Sequence, residues 1–130
     1  MSTADPFPSD LLYHEAHDWA RIDGNTATLG ITWTAQDRLG EIVFAELPEV
    51  GARLKQHEPY MELESTKAVS DVIAPLSGAI VEINSAIADR PESVNDDPYG
   101  EGWLVKVSLD DPSEGESLMD ADTYSATVAE

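Results

Sequence analysis

Turn signals cut this chain into apolar stretches short enough to be strands. Asp23-Gly24-Asn25 is a hairpin signal, Pro48 and Gly51 punctuate a second gap, and Pro75 and Gly78 break a third. Around the first of these, HDWARIDGNTATLGI reads as two strands. Ala27, Leu29 and Ile31 share one face and Thr26, Thr28 and Gly30 the other, the period of a half-buried strand. Further strands are expected at about 41–47, 59–64, 68–74 and 79–84. WLVKVSL alternates too, with Trp103, Val105, Val107 and Leu109 on one face and Leu104, Lys106 and Ser108 on the other. Trp19 and Trp103 are expected to pack from within strands.

Helices enter this pattern only as additions. Thr32 can cap a short one over Trp33 to Leu39, closed by Gly40. SVNDDPYGEGW reads as a long turn-rich segment. Beyond it, Asp111-Pro112-Ser113-Glu114 opens a helix, with Asp111 as cap, Pro112 at the first helical position and Glu114 reaching back. A terminal helix over about 120–129 has Asp120 as its cap. The first ten residues, with Pro6 and Pro8, read as a flexible lead-in (1–10) to one domain (11–130). The expectation is a compact β domain whose helices gather mostly at the C-terminal end.

Composition narrows the function classes. With 130 residues the chain suits a single domain that can bury a core. Its formal charge of -19 would repel nucleic acid and anionic membranes and favours cationic partners. Such acidity also fits a salt-adapted host. The chain has no cysteine, so thiolate chemistry must come from something attached. The N-terminal stretch lacks the basic and apolar regions of a leader, and the cytoplasm is the expected location.

Candidate chemistry is sparse. No G-x-S-x-G or phosphate-loop motif occurs, and Gly100-Glu101-Gly102 lacks the rest of a dinucleotide fingerprint. His14 and His17 are three apart, whereas a zinc-binding helix spaces its histidines by four, so a surface or loop role is expected. His57 stands alone in the sequence and reads as solvated. No metal site follows. Lys67 is one of three lysines and lies between two expected strands. A Schiff-base lysine is normally activated by desolvation or a cationic neighbour, but here the neighbours are Glu62, Glu64 and Asp71. Lys67 is therefore a poor nucleophile of its own. It is well placed as the substrate of a modifying enzyme, or it is a plain solvated turn lysine; the stretch alone fits both.

ESTKAVSD followed by APLSG resembles the lipoyl-lysine signature of the glycine cleavage system H protein family. HDW at 17–19 looks like the family's His-Glu-Trp, with Asp18 in place of Glu. GIT-x-x-AQ-x-x-LGEIVF at 30–44, LPEVG at 47–51, VNDDPYGEGWLVKV at 94–107 and the terminal DADTYSATV agree in order and spacing. The lysine motif alone is shared with other lipoyl and biotin carriers; the combination is specific.

The resemblance implies a mostly β, barrel-sandwich (lipoyl-domain-like) fold with short peripheral helices, including C-terminal ones. It implies lipoic acid joined covalently to Lys67 as N6-lipoyllysine at the tip of a hairpin. Glu64 is expected in recognition by the lipoylating enzyme, and Asp71 and Asp18 in docking the aminomethyl-bearing arm. Ser65 and Thr66 fit as small turn residues, and Gly78 as a turn residue before 79–84. Glycine is common in the family near Gln56-His57, and Arg38 lies in the segment expected to line the arm's cleft. The implied chain is a non-catalytic, monomeric carrier. It serves glycine decarboxylase (P protein), aminomethyltransferase (T protein) and dihydrolipoyl dehydrogenase (L protein). The competing readings are an H-like lipoyl relay, a biotin carrier and a plain structural domain. Biotin carriers usually flank their lysine with methionines, and Thr66 and Ala68 stand there instead.

Overall fold

The computed structural model describes residues 7–128. Nine strands alternate with short helices: β1 (Leu12–His14), β2 (Asp18–Asp23), β3 (Thr26–Ile31), α1 (Trp33–Leu39), β4 (Ile42–Glu46), β5 (Arg53–Leu54), β6 (Pro59–Ser65), β7 (Val69–Ile73), β8 (Gly78–Ile83), α2 (Ala86–Asp89), α3 (Glu92–Asp96), β9 (Val105–Leu109) and α4 (Ala121–Val128). They form two open sheets. One runs β1-β2-β3-β9-β8-β5 and the other β4-β6-β7, with antiparallel pairing throughout. This is the mostly β, lipoyl-domain-like architecture with short peripheral helices, one of them C-terminal. Tight hairpins suffice to join antiparallel neighbours, which is why the turn signals mark them.

The main core is aliphatic and lies between the sheets: Leu29, Ile31, Leu63, Leu76, Ile80, Leu104 and Val107 are among its buried members. A second, aromatic cluster joins β1 and β2 to α4. Tyr13 and Tyr124 stack at 4.8 Å, and Phe7 meets Tyr124 edge-on at 5.1 Å. Trp19 is buried in this cluster and its indole N–H donates to the Pro98 carbonyl at 3.0 Å. Phe7 thus packs against the domain, and the Tyr13 hydroxyl donates to the carbonyl of Pro8. The first six residues of the expected lead-in lie outside the described residues.

Several local expectations hold. Thr32 caps α1, its hydroxyl accepting from the Ala35 N–H, and Gly40 closes the helix. Asp111 caps the helix that follows, and the Asp120 carboxylate accepts from the Thr123 N–H at 2.8 Å.

Others are corrected. The helix over Pro112–Ser117 is a 3₁₀ turn, and Glu114 does not reach back. Its carboxylate instead accepts from the N–H and hydroxyl of Ser77 at 2.7 and 2.9 Å. The segment around residue 93 contains α3 just after α2, so helices are not confined to the C-terminal end. Trp103 lies before β9 rather than in it, and Leu104, placed by alternation on the face of Lys106 and Ser108, is fully buried. Gly78 is not a left-handed turn residue but the first residue of β8. It is needed for close approach, since a Cβ there would sit 2.2 Å from the Ser108 carbonyl oxygen.

Candidate functional site

β6 and β7 form a hairpin whose turn carries Lys67, exposed at the tip. The hydroxyl of buried Ser65 holds this turn from beneath. It accepts from the N–H groups of Lys67 and Ala68 at 3.2 and 3.1 Å, while the Ser65 N–H donates to the Ala68 carbonyl at 2.7 Å. The Thr66 N–H donates to the Glu41 carbonyl at 3.0 Å, tying the tip to the loop before β4. Ser65 and Thr66 are therefore structural parts of the turn, beyond being small enough to fit it.

Gly40 lies beside the lysine. Its backbone (φ 83°, ψ −161°) is in a region essentially reserved for glycine. Asn95 of α3 fixes this corner. Its carbonyl oxygen accepts from the Ile42 N–H at 2.9 Å, and its amide donates to the carbonyls of Gly40 at 2.9 Å and of the Gln36 side chain at 3.1 Å.

The register places the hairpin's outer side chains in rows. Phe44 pairs with Glu64 and Glu64 with Val69; Glu46 pairs with Glu62 and Glu62 with Asp71. Residues paired across antiparallel strands point to the same side. Glu64 therefore stands between exposed Phe44 (53 %) and Val69 (60 %). Asp71 lies at the end of a row of three carboxylates, and none of the ion pairs formed among the described residues includes them.

Asp18 has a different environment. It opens β2, is 2 % exposed, and accepts a hydrogen bond from the Ile73 backbone at the end of β7. Burial holds its carboxyl well above the usual carboxylate range, against the lowering by that hydrogen bond. Its Oδ2 has no partner. The strand that starts beside Lys67 thus ends at Asp18, with Asp71 between them on the outer face.

A polar chain braces the corner before Asp18. Arg38 can only donate, so its contact at 3.1 Å makes Nε2 of His17 an acceptor. In the neutral ring Nδ1 then carries the proton and donates to the Tyr124 hydroxyl at 2.6 Å. That hydroxyl meets the Thr32 hydroxyl at 2.8 Å. Burial and then Arg38 push the His17 pKa down, which agrees with the neutral ring. Arg38 is thus partnered, and His17 has a bracing role rather than a plain surface one.

His14 and His57 correct the sequence expectation further. His14 is buried, and its Nε2 stands 2.8 Å from Nδ1 of His57. Nδ1 of His14 accepts from the Ala16 N–H at 3.0 Å, so Nε2 holds the proton and donates to His57. His57 is therefore not alone. It occupies a left-handed backbone position (φ 77°), which explains why glycine suits this place in the resembled family. Among the described residues no group of three or more potential metal ligands occurs.

Sequence reasoning singled out Lys67, Glu64, Asp71 and Asp18; the first three share the hairpin β6–β7, and Asp18 lies apart at the start of β2. It missed the Ser65 hydroxyl as a hub, and it missed Asn95. Asn95 alone had a signal, an amide inside the quoted VNDDPYGEGW stretch.

The family model described as glycine cleavage H-protein matches residues 11–130. The glycine cleavage system H protein of Symbiobacterium thermophilum is 50 % identical over 123 residues, covering 95 % of this chain and 96 % of the relative. The probable H protein of Haloarcula marismortui is 49 % identical over 117 residues, covering 90 % and 92 %. A crystal structure of a glycine cleavage system H protein from Mycobacterium marinum superposes with a TM-score of 0.87 at 41 % identity, over 95 % of this chain and 100 % of that one.

Proposed function

Since the chain belongs to the glycine cleavage H-protein family, we propose that Lys67 is where its lipoyl group is attached. The chain is a lipoyl carrier of the glycine cleavage system. It conveys the aminomethyl group of glycine from the pyridoxal-phosphate decarboxylase (P protein) to the aminomethyltransferase (T protein). It then presents the reduced arm to the flavin dehydrogenase (L protein). The chain serves these enzymes and catalyses none of the steps.

The observation that carries the Lys67 reading is the exposed lysine on a turn held rigid by Ser65 and Thr66. Lipoate, linked through its carboxyl to Nζ as an amide, supplies a dithiolane that a chain without cysteine cannot supply. The residues fit such a group: Gly40 leaves room at the lysine stem, and Asp18 offers a buried, unpartnered carboxyl oxygen at the other end of β7. Glu64, flanked by Phe44 and Val69, is the contact read by the lipoylating enzyme. Asp71 and Asp18 hold the cationic end of the loaded arm. Among the described residues no helix is long and apolar enough to cross a membrane.

Intact mass of the protein from its native host, with fragmentation around Lys67, tests the assignment. One lipoyl group on Lys67 is the expected result. A biotinyl mass, or an unmodified Lys67 in cells that lipoylate other proteins, overturns it.

A further inference from the structure

The three-stranded sheet, β4-β6-β7, has one open side. At β4 the Ile42 N–H is taken up by Asn95, and α2 and α3 pack along the strand. β7 is hydrogen-bonded to β6 alone among the described strands.

The register decides which backbone groups of β7 face that open side. The Ser65 N–H donates to the Ala68 carbonyl, so these two residues close the ladder at the tip. Bonded and non-bonded pairs alternate along an antiparallel ladder. Leu63 and Ser70 are therefore a bonded pair, whereas Val69, opposite Glu64, and Asp71, opposite Glu62, turn their N–H and C=O away from β6. The far end keeps the same phase: the Ala74 N–H donates inward to the Glu58 carbonyl, and the Ala74 carbonyl accepts from the His57 N–H. Residues 69–71 are exposed one after another. Among the described residues, the one contact to their outward groups is a long one, from the Ser70 hydroxyl to the Asp71 carbonyl at 3.4 Å.

An open edge is a template for another strand, and proteins normally blunt it with charge. Here the charge is selective. Asp71 ends the carboxylate row of Glu46 and Glu62, so a second copy laid along β7 would set carboxylate beside carboxylate, whereas a Lys or Arg would be paired. Val69 ends the neighbouring row of Phe44 and Glu64 and offers an apolar contact.

We propose that the lipoylating enzyme holds this chain by the free edge of β7, adding an extended segment of its own as a fourth strand, with a cationic side chain beside Asp71 and an apolar one beside Val69. The proposal rests on Lys67 being the attachment point. Reach selects the partner. The lipoylating enzyme must take the bare lysine amine into its site, so it has to grip the hairpin within one side chain's length of Lys67, and Val69 is two residues away. Enzymes that act on the end of the finished arm need not approach so near. Main-chain bonds give such a contact its strength, and the flanking side chains give it selectivity.

Hydrogen exchange of the unlipoylated chain, alone and with the host's lipoylating enzyme in the absence of a lipoyl donor, tests this directly. Alone, the amides of Val69 and Asp71 should exchange fast and that of Ser70 slowly. With the enzyme, Val69 and Asp71 should gain protection several-fold beyond exposed amides far from the tip. Val69→Pro deletes one outward N–H and leaves the bonds to β6 in place, as proline on an edge strand can. It should raise the KM for the chain in lipoylation several-fold with kcat little changed, and Val69→Ile, which keeps the N–H, should not. Unchanged exchange at Val69 and Asp71 in the presence of the enzyme overturns the proposal. So does an unchanged KM in Val69→Pro, or an equal rise in Val69→Ile. Exchange reads where the enzyme sits, so failure of the Lys67 assignment is seen separately, in the intact mass.

Discussion

Gly40 and Lys67 are in contact range across the gap between α1 and the hairpin tip: a Cβ built on Gly40 would stand 3.3 Å from the lysine Cε. The position also requires φ 83°. Gly40→Ala should therefore combine two penalties. Backbone strain should lower stability by about 1–3 kcal/mol, read from chemical denaturation. Crowding of the stem should slow acylation of Lys67 several-fold, read by mass. Normal acylation would mean that the lysine swings clear of Gly40.

Ser65→Ala removes the hydroxyl that three backbone groups of the turn use. The expected loss is about 1–2 kcal/mol, because two N–H groups lose their side-chain acceptor at a site where water can partly replace it. Amide exchange at Lys67 and Ala68 should accelerate more than exchange in β9. Uniform acceleration would point to global destabilisation instead.

Glu64 and Phe44 sit side by side on the outer face, and their roles should separate by salt. Glu64→Gln should slow lipoylation at low ionic strength, and the defect should shrink as salt rises and screens the charge. Phe44→Ser should slow it at every salt concentration, since apolar contact is not screened. Both variants should keep their stability within about 0.5 kcal/mol, as surface changes do. Identical salt profiles for the two would remove Glu64 from charge-based recognition.

Acid should weaken the fold through its histidines. Burial, then His57, holds the His14 pKa below 6.5, with Glu15 acting in the opposite direction. The unfolded chain therefore binds the proton first as pH falls. Stability is present above 6.5 and is lost from there down to the lowered folded value; His17 acts in the same sense. Asp18 opposes them, because its raised pKa gives stability that is present below 3.8 and lost as pH rises through the folded value. His14→Gln should flatten the rise of unfolding free energy with pH between about pH 5 and 7. An unchanged slope would show that His14 does not titrate on unfolding.

Asn95→Ala should cost about 2–3 kcal/mol, since it strands the Ile42 N–H and frees Gly40. A loss as small as that of a surface change would mean that water takes over both bonds.

Features written in short stretches were legible in the sequence. The Thr32 cap, the Asp23-Gly24-Asn25 hairpin and the Asp120 cap each depend on residues a few positions apart. The turn position of Lys67 was legible for the same reason. What stayed hidden depends on distant partners. Asn95 meets Gly40 and Ile42 across more than fifty residues, and His14 meets His57 across forty-three. The helices α2 and α3 are four and five residues long, lack side-chain caps, and are held by burying Ile87 and Val94. Leu104 breaks the alternation because it is buried before β9 begins.

The hydrogen bond from Thr66 to Glu41 and the Ser65 bonds under Lys67 make the hairpin tip a fixed pivot. With Lys67 as the proposed attachment point, all the swing in the transfer resides in the lysine stem and whatever hangs from it. The far end sweeps a cap of set radius centred on one point of the surface. Each enzyme that shares the cargo must bring its catalytic entrance inside that cap, so the three entrances must all be shaped to the same reach.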